Sequence, residues 1–135
     1  LGPNQVAYLD MVGSGNETAA HLQADGRITI MFCSFTRNAL IMRLYGRGKM
    51  VQPSDEDWDA LRSHFNDLPA VRQIMVMDVQ NLQTSCGWGV PEMDIMGERP
   101  TISKWAEQKG PDGLKLYKKE KNSQSIDGLP TGIKE

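Results

Sequence analysis

The chain is short of thiols, of histidine and of any charge imbalance. Its 135 residues hold two cysteines, Cys33 and Cys86. Two thiols cannot staple a disulfide scaffold. Both sit in apolar, strand-like surroundings and read as buried thiols; a single disulfide has nothing to support it. A reducing, cytoplasmic setting is the expectation. The two histidines, His21 and His64, lie far apart and neither has a partner at metal-ligand spacing, so no metal site is expected. Fifteen Lys and Arg against seventeen Asp and Glu leave a net charge of −2. That offers no broad attraction for nucleic acid or for an acidic membrane surface. No apolar run approaches a membrane span, and no signal-peptide pattern is present. No Ser-His-Asp order, paired-carboxylate signature or CxxC pair appears either.

What remains is an ordinary soluble composition, 39% hydrophobic and 24% charged, at a length that suits one domain and buries a real core. The chain opens on Leu1 and enters almost directly into a strand, so further residues are expected upstream in the native protein. Val6 to Leu9 reads as that strand. Asn16 is a good N-cap for a short helix over Glu17 to Ala24, stopped by Asp25 and Gly26. The run "RITIMFCSF", Arg27 to Phe35, is too unbroken for a surface strand and predicts a central one. A hairpin-sized turn at 36–38 leads into Ala39 to Val51. There Leu40, Met42 and Leu44 face one way, and Arg43, Tyr45, Arg47 and Lys49 the other. Gly46 and Gly48 suggest a bulge or close backbone packing. "PSDEDWDALRSHF" predicts a helix over 54–65, capped by Ser54, with Trp58, Leu61 and Phe65 as its apolar stripe. Gln73 to Gln80 is another strand, continued after a bend by Leu82 to Trp88. Thr101 to Lys109 is a helix stopped by Gly110, with Ile102, Trp105 and Ala106 inward. Leu114 to Lys121 is a second, basic helix. Residues 122–135 form a polar arm, extended or disordered, beyond a folded domain over 1–121. Strands outnumber helices, and no crossover helix separates the central ones. The fold class is mostly β with peripheral helices, an antiparallel sheet or small barrel.

The stretch "GSGNET", residues 13–18, poses the functional question. Two glycines before a helix start can cradle a phosphate on free N–H groups, with Ser14, Gly15, Asn16 and Thr18 as donors. It lacks the third glycine of a dinucleotide fingerprint and the lysine of a Walker loop. Asp10 and Glu17 stand close by and repel an anion. On local grounds a tight turn with an Asn cap is the stronger reading. "QTSCGWG" is the second candidate: Ser85, Cys86 and the glycines around Trp88 would let a flat ligand approach the backbone and stack. Its bland alternative is a strand end with a buried Trp. Arg43 and Arg47 would bind an acidic ligand or simply face water. The lysines of "KLYKKEK" read as a solvated helix face and the eight methionines as core filler; His21 is either a site residue or, as helix-face histidines usually are, an ordinary one.

Four blocks in order, "VAYLDMVGSGNETAAHL", "GRITIMFCSF", "IMRLYGRGKMV" and "VQNLQTSCGWGVPEMDIMGERPTISKWAEQKG", resemble the pyridoxamine 5′-phosphate oxidase-related proteins. The resemblance covers nearly the whole chain. It implies an FMN-binding split β-barrel, antiparallel with helices outside. It implies a homodimer with two flavin sites at the subunit interface and a small-molecule substrate. It also implies that Ser14 to Thr18 lie near the flavin phosphate and that the Arg43 strand runs beside the ring. The vitamin-making oxidase has a Ser-Arg-Lys segment where this chain has Asn16, Glu17 and Thr18, and a flavin-contacting Gln where this chain has Ile41. The family's first strands, which carry another phosphate-binding Arg, have no counterpart in this sequence. The expectation is therefore an FMN-dependent oxidoreductase of unknown substrate. The rivals are a dimeric protein that holds a flavin, or another flat anionic ligand, without turnover, and a split-barrel relative that uses a deazaflavin or haem.

Overall fold

The structure is a computed structural model, and it describes residues 1–134. Four strands make one antiparallel sheet: β1 (Gln5–Met11), β2 (Arg27–Cys33), β3 (Ile41–Val51) and β4 (Val71–Ser85), in the order β1-β4-β3-β2. Three helices surround it: α1 (Glu17–Ala24), α2 (Trp58–Arg62) and α3 (Thr101–Lys121). The sheet curls into half a barrel, which is the split-barrel class with peripheral helices. Among the described residues no helix is long and apolar enough to cross a membrane.

The long strand β4 is the spine. It pairs with β1 over its first half and with β3 from Ile74 to Ser85. Between Tyr45↔Asn81 and Gly46↔Val79 the register slips, leaving Gln80 unopposed. This is the bend anticipated between Gln80 and Leu82, and a bulge supplies it. Gly46 is glycine for a steric reason. A Cβ there would lie 2.0 Å from the Asp78 carbonyl oxygen.

The bulge also explains how the two faces are covered. Below it, α1 seals one face: Ala19, Leu22 and Met75 are buried together, with Tyr8, Ile28 and Met50 packed against them. On the other face, Val51, Ile74 and Val76 are buried beneath Trp58, Leu61 and Phe65. The apolar stripe read for the second helix is therefore the one that packs. Above the bulge neither α1 nor α2 reaches. Met31, Phe32 and Leu82 are at least half exposed there.

Several expectations need correction. β2 is an edge strand, not a central one, because its apolar run faces an uncovered part of the sheet. The helix expected over 54–65 shrinks to Trp58–Arg62, and Ser54 does not cap it. The Asp55 carboxylate instead accepts the Gln52 N–H at 2.8 Å, folding 52–55 into a turn that delays the helix. Ile102 is exposed, whereas Ala106 is buried. The break at Gly110 occurs as anticipated: with φ 64 and ψ 175 it kinks α3 into two segments. The arm over 122–134 is docked. Asn122 and Thr131 are fully buried, and the Gln52 side chain donates to the Gly132 carbonyl at 2.8 Å and accepts from the Lys134 N–H at 2.7 Å.

Gly46→Ala is expected to lower stability by about 1–3 kcal/mol, since a methyl must displace backbone. Gly89→Ala, which meets nothing within 4 Å, is expected to change it little. Urea midpoints of the two variants against the parent check this.

Candidate functional site

The loop at 13–18 hangs from the corner where β1 ends. The Val12 N–H donates to the Ala70 carbonyl at 2.8 Å. Ala70 itself is held at φ 59, a left-handed conformation that costs a non-glycine residue energy. Beneath the loop lies a buried polar network. Arg72, at the start of β4, donates from Nε to Asp10 Oδ2 at 2.9 Å and from Nη1 to the Gly15 carbonyl at 2.8 Å. Its Nη2 stands 2.8 Å from the same Asp10 oxygen. Gln73 Nε2 donates to Asp10 Oδ2 and to Asn16 Oδ1, both at 2.7 Å. From the arm, Asn122 Nδ2 donates to the Gly13 carbonyl at 2.8 Å, and the Thr131 hydroxyl donates to the Asn122 carbonyl at 2.5 Å. The loop is thus tied from within by β1, β4 and the arm together. Gln73 Oε1 and Asn122 Oδ1 are buried in it without a hydrogen-bond partner.

This network changes the role of Asn16. It occupies the N-cap position but makes no capping bond. Its amide is spent inward, on Gln73 and on the Asn122 carbonyl at 3.4 Å. The cap expected of it is absent, so its side chain leaves the first-turn N–H groups of α1 to other acceptors. Glu17 turns toward the arm, where its two carboxylate oxygens accept the Ile126 N–H at 3.0 and 3.2 Å. Ser14 is exposed and Thr18 half-buried. Burial, and then the nearby Asp10 charge, push the Tyr8 phenol above its usual range, while a hydrogen bond with Thr18 pulls it down.

The second group of candidates gathers at the other end of the sheet. Arg43 Nη1 donates to Ser85 Oγ at 3.2 Å, and the Tyr45 hydroxyl to Gln83 Oε1 at 3.1 Å. Trp88 is 85% exposed, so it is not the buried indole of the bland alternative. Cys86 is exposed and Cys33 only half-buried; both are free thiols, which corrects the expectation that both are buried. Gly87 sits at φ +64, with its missing Cβ position 2.8 Å from the Leu40 N atom, so glycine is required where the chain leaves β4.

The structure brings each group together but keeps the two groups apart. From Gln73, beneath the loop, to Ser85 is about 40 Å of strand at roughly 3.3 Å per residue. The Arg43 side chain shares its face with Tyr45, Gln83 and Ser85, whereas α1 packs on the opposite face. Within one chain the two groups therefore lie toward opposite ends of β4, with the polar row on the face away from α1.

Over 96% of its length the chain is 37% identical to "Pyridoxamine 5′-phosphate oxidase family protein ustO" of Aspergillus flavus. This chain is a homologue of a pyridoxamine 5′-phosphate oxidase family protein. It spans 58% of that relative's length. No protein-family model matches it, and no solved structure does.

The sequence reading missed Arg72 and Gln73. Their signal was present: a cation and an amide in succession within an apolar strand, opposite an acid on β1. In a central strand such residues must find partners. Arg72→Ala is expected to cost about 3–5 kcal/mol, because it strands the Asp10 carboxylate in a site where the paired side chains are only 4% and 20% exposed. Lys49→Ala, which breaks the exposed pair with Asp57, is expected to change stability little. Denaturant unfolding of both variants tests this.

Proposed function

We propose that this homologue binds FMN and serves as a flavin-dependent oxidoreductase of a small-molecule substrate, working as a homodimer. The observation that carries the reading is the uncapped start of α1. Asn16 is consumed by the buried network, and its neighbour Glu17 is drawn off to the Ile126 N–H. That leaves the N-terminus of α1 without a side-chain cap, and uncapped N–H groups at a helix start favour a phosphate group. Ser14 and Thr18 flank it. The relative's family name supports the flavin assignment.

The separation of the two candidate groups supports a shared site. A second copy would bring its Arg43, Ser85, Cys86 and Trp88 to the loop of the first. The uncovered upper sheet, with Met31, Phe32 and Leu82 exposed, is apolar surface of the kind subunit pairing covers. In such a site the loop would hold the phosphate, and Trp88 would lie against the flat ring and exclude water. Arg43, hydrogen bonded to Ser85, would place a positive charge beside the ring. A bound flavin would supply the electron transfer; the chain would supply orientation and polarity.

A non-catalytic flavin carrier is the second reading. Asn16, Glu17 and Thr18 provide no side-chain cation at the loop, and the guanidinium beneath it is already paired with Asp10. Such a carrier would bind without turning over.

Titration with FMN is expected to quench flavin fluorescence with saturable, micromolar-range binding. A bound flavin that bleaches anaerobically with a nicotinamide donor supports the enzyme; one that does not supports the carrier. Glu17→Lys is expected to tighten FMN several-fold at low ionic strength. The gain should shrink in 1 M salt, where the screening length is about 3 Å. An unchanged affinity at low salt in the folded variant reduces the loop to a turn. Light scattering should give a dimer mass.

A further inference from the structure

The sequence gives His21 no metal-ligand partner, yet the fold does. Glu17 and His21 are four residues apart, on one face of α1. The turn at 125–128 brings Asp127 to the same place. One ligand atom from each of Glu17, His21 and Asp127 lies within 4.8 Å of the other two. His21 Nε2 is 3.7 Å from Asp127 Oδ2.

Two of the three are already oriented. Glu17 is pinned by the Ile126 N–H. Asp127 is held by the Ser125 hydroxyl, which donates to its Oδ1 and in turn accepts the Leu129 N–H at 3.0 Å. The turn is closed by Gly128 N–H on the Ser125 carbonyl at 3.0 Å and Ser125 N–H on the Leu129 carbonyl at 2.9 Å. That Ser125 bond, more than the nearby His21 ring, holds the Asp127 carboxyl below the usual carboxylate range. The arm is further tied to α1 by the Gln23 amide, which donates to the Pro130 carbonyl at 3.2 Å. Outer hydrogen bonds of this kind are what fix ligands around a metal.

We propose that Glu17, His21 and Asp127 form a divalent metal site of the zinc class that clasps the C-terminal arm to α1. One imidazole nitrogen and two carboxylate oxygens suit a borderline ion and exclude magnesium and calcium as good occupants. A tetrahedral zinc with bonds of about 2.0–2.2 Å sets its ligand atoms roughly 3.3–3.5 Å apart. Side-chain rotation of His21 and Asp127, each more than half exposed, closes the difference. The ion also offsets the repulsion between two carboxylates that stand side by side. The fourth position remains open to water or a small ligand.

Chelator-treated protein titrated with zinc chloride in a calorimeter is expected to take up one equivalent saturably, without competition from millimolar magnesium. His21→Ala and Asp127→Asn are each expected to weaken binding at least ~10-fold. Both side chains are more than half exposed, so these variants should fold. Zinc should shift the amide resonances of Ile126, Asp127 and Gly128, and raise the melting temperature of the parent but not of His21→Ala. Absence of saturable uptake overturns the proposal. So does unchanged affinity in both variants, which would place the ion on Cys33, Cys86 or His64.

Discussion

Everything around the loop depends on one buried ion pair, Arg72 with Asp10. An arginine taken out of water is tolerated only if its donors are nearly all met. Here they are met by one carboxylate and by the Gly15 carbonyl. That requirement fixes the loop to the sheet. The same Asp10 oxygen accepts from Gln73, Gln73 reaches Asn16, and Asn122 and Thr131 close the cluster from the arm. Strand, loop, helix start and arm are thereby one unit. A loop held from beneath in this way keeps its outer surface for something else.

The bulge at Gln80 divides the sheet into a covered and an uncovered part. Below it, two helices bury both faces, and the core there is complete within the chain. Above it, the polar row Arg43, Tyr45, Gln83 and Ser85 lies on one face, with exposed apolar side chains around it. The chain thus carries its own core and leaves a second surface open. A homodimer is the proposal that accounts for both this surface and the distance between the two candidate groups.

Much of the fold was legible because periodicity and turn chemistry act locally. α1, the alternation of β3, the Gly46 bulge and the Gly110 break all follow from residues within a few positions. The errors arise where a distant partner decides. The apolar run of β2 implies burial on both sides, but nothing in a sequence says whether its neighbours belong to the same chain. The acids after Ser54 suggest a helix start; Asp55 turns back to Gln52, whose own side chain is held by Gly132 and Lys134. The arm looked loose because it is polar, yet Asn122 and Thr131 are buried through bonds to residues over a hundred positions away and to each other. The site was half legible for the same reason. Position at a helix start marks the loop, but Asn16 acts through Gln73 and Asn122, which no local pattern reveals.

Glu17 is where the two proposals meet. As a bare carboxylate at the head of α1 it interacts well with the helix dipole and badly with an incoming phosphate. Its bond to the Ile126 N–H turns it aside, and a cation shared with His21 and Asp127 would cancel its charge. A bound ion would neutralise Glu17 and Asp127, removing the negative charge that opposes a phosphate there without adding a positive one. The condition of the arm would then set the electrostatics of the loop: an undocked arm releases Glu17 and loses Asp127 together. This coupling needs no movement of the sheet, since Arg72 keeps the loop in place whether or not the ion is present.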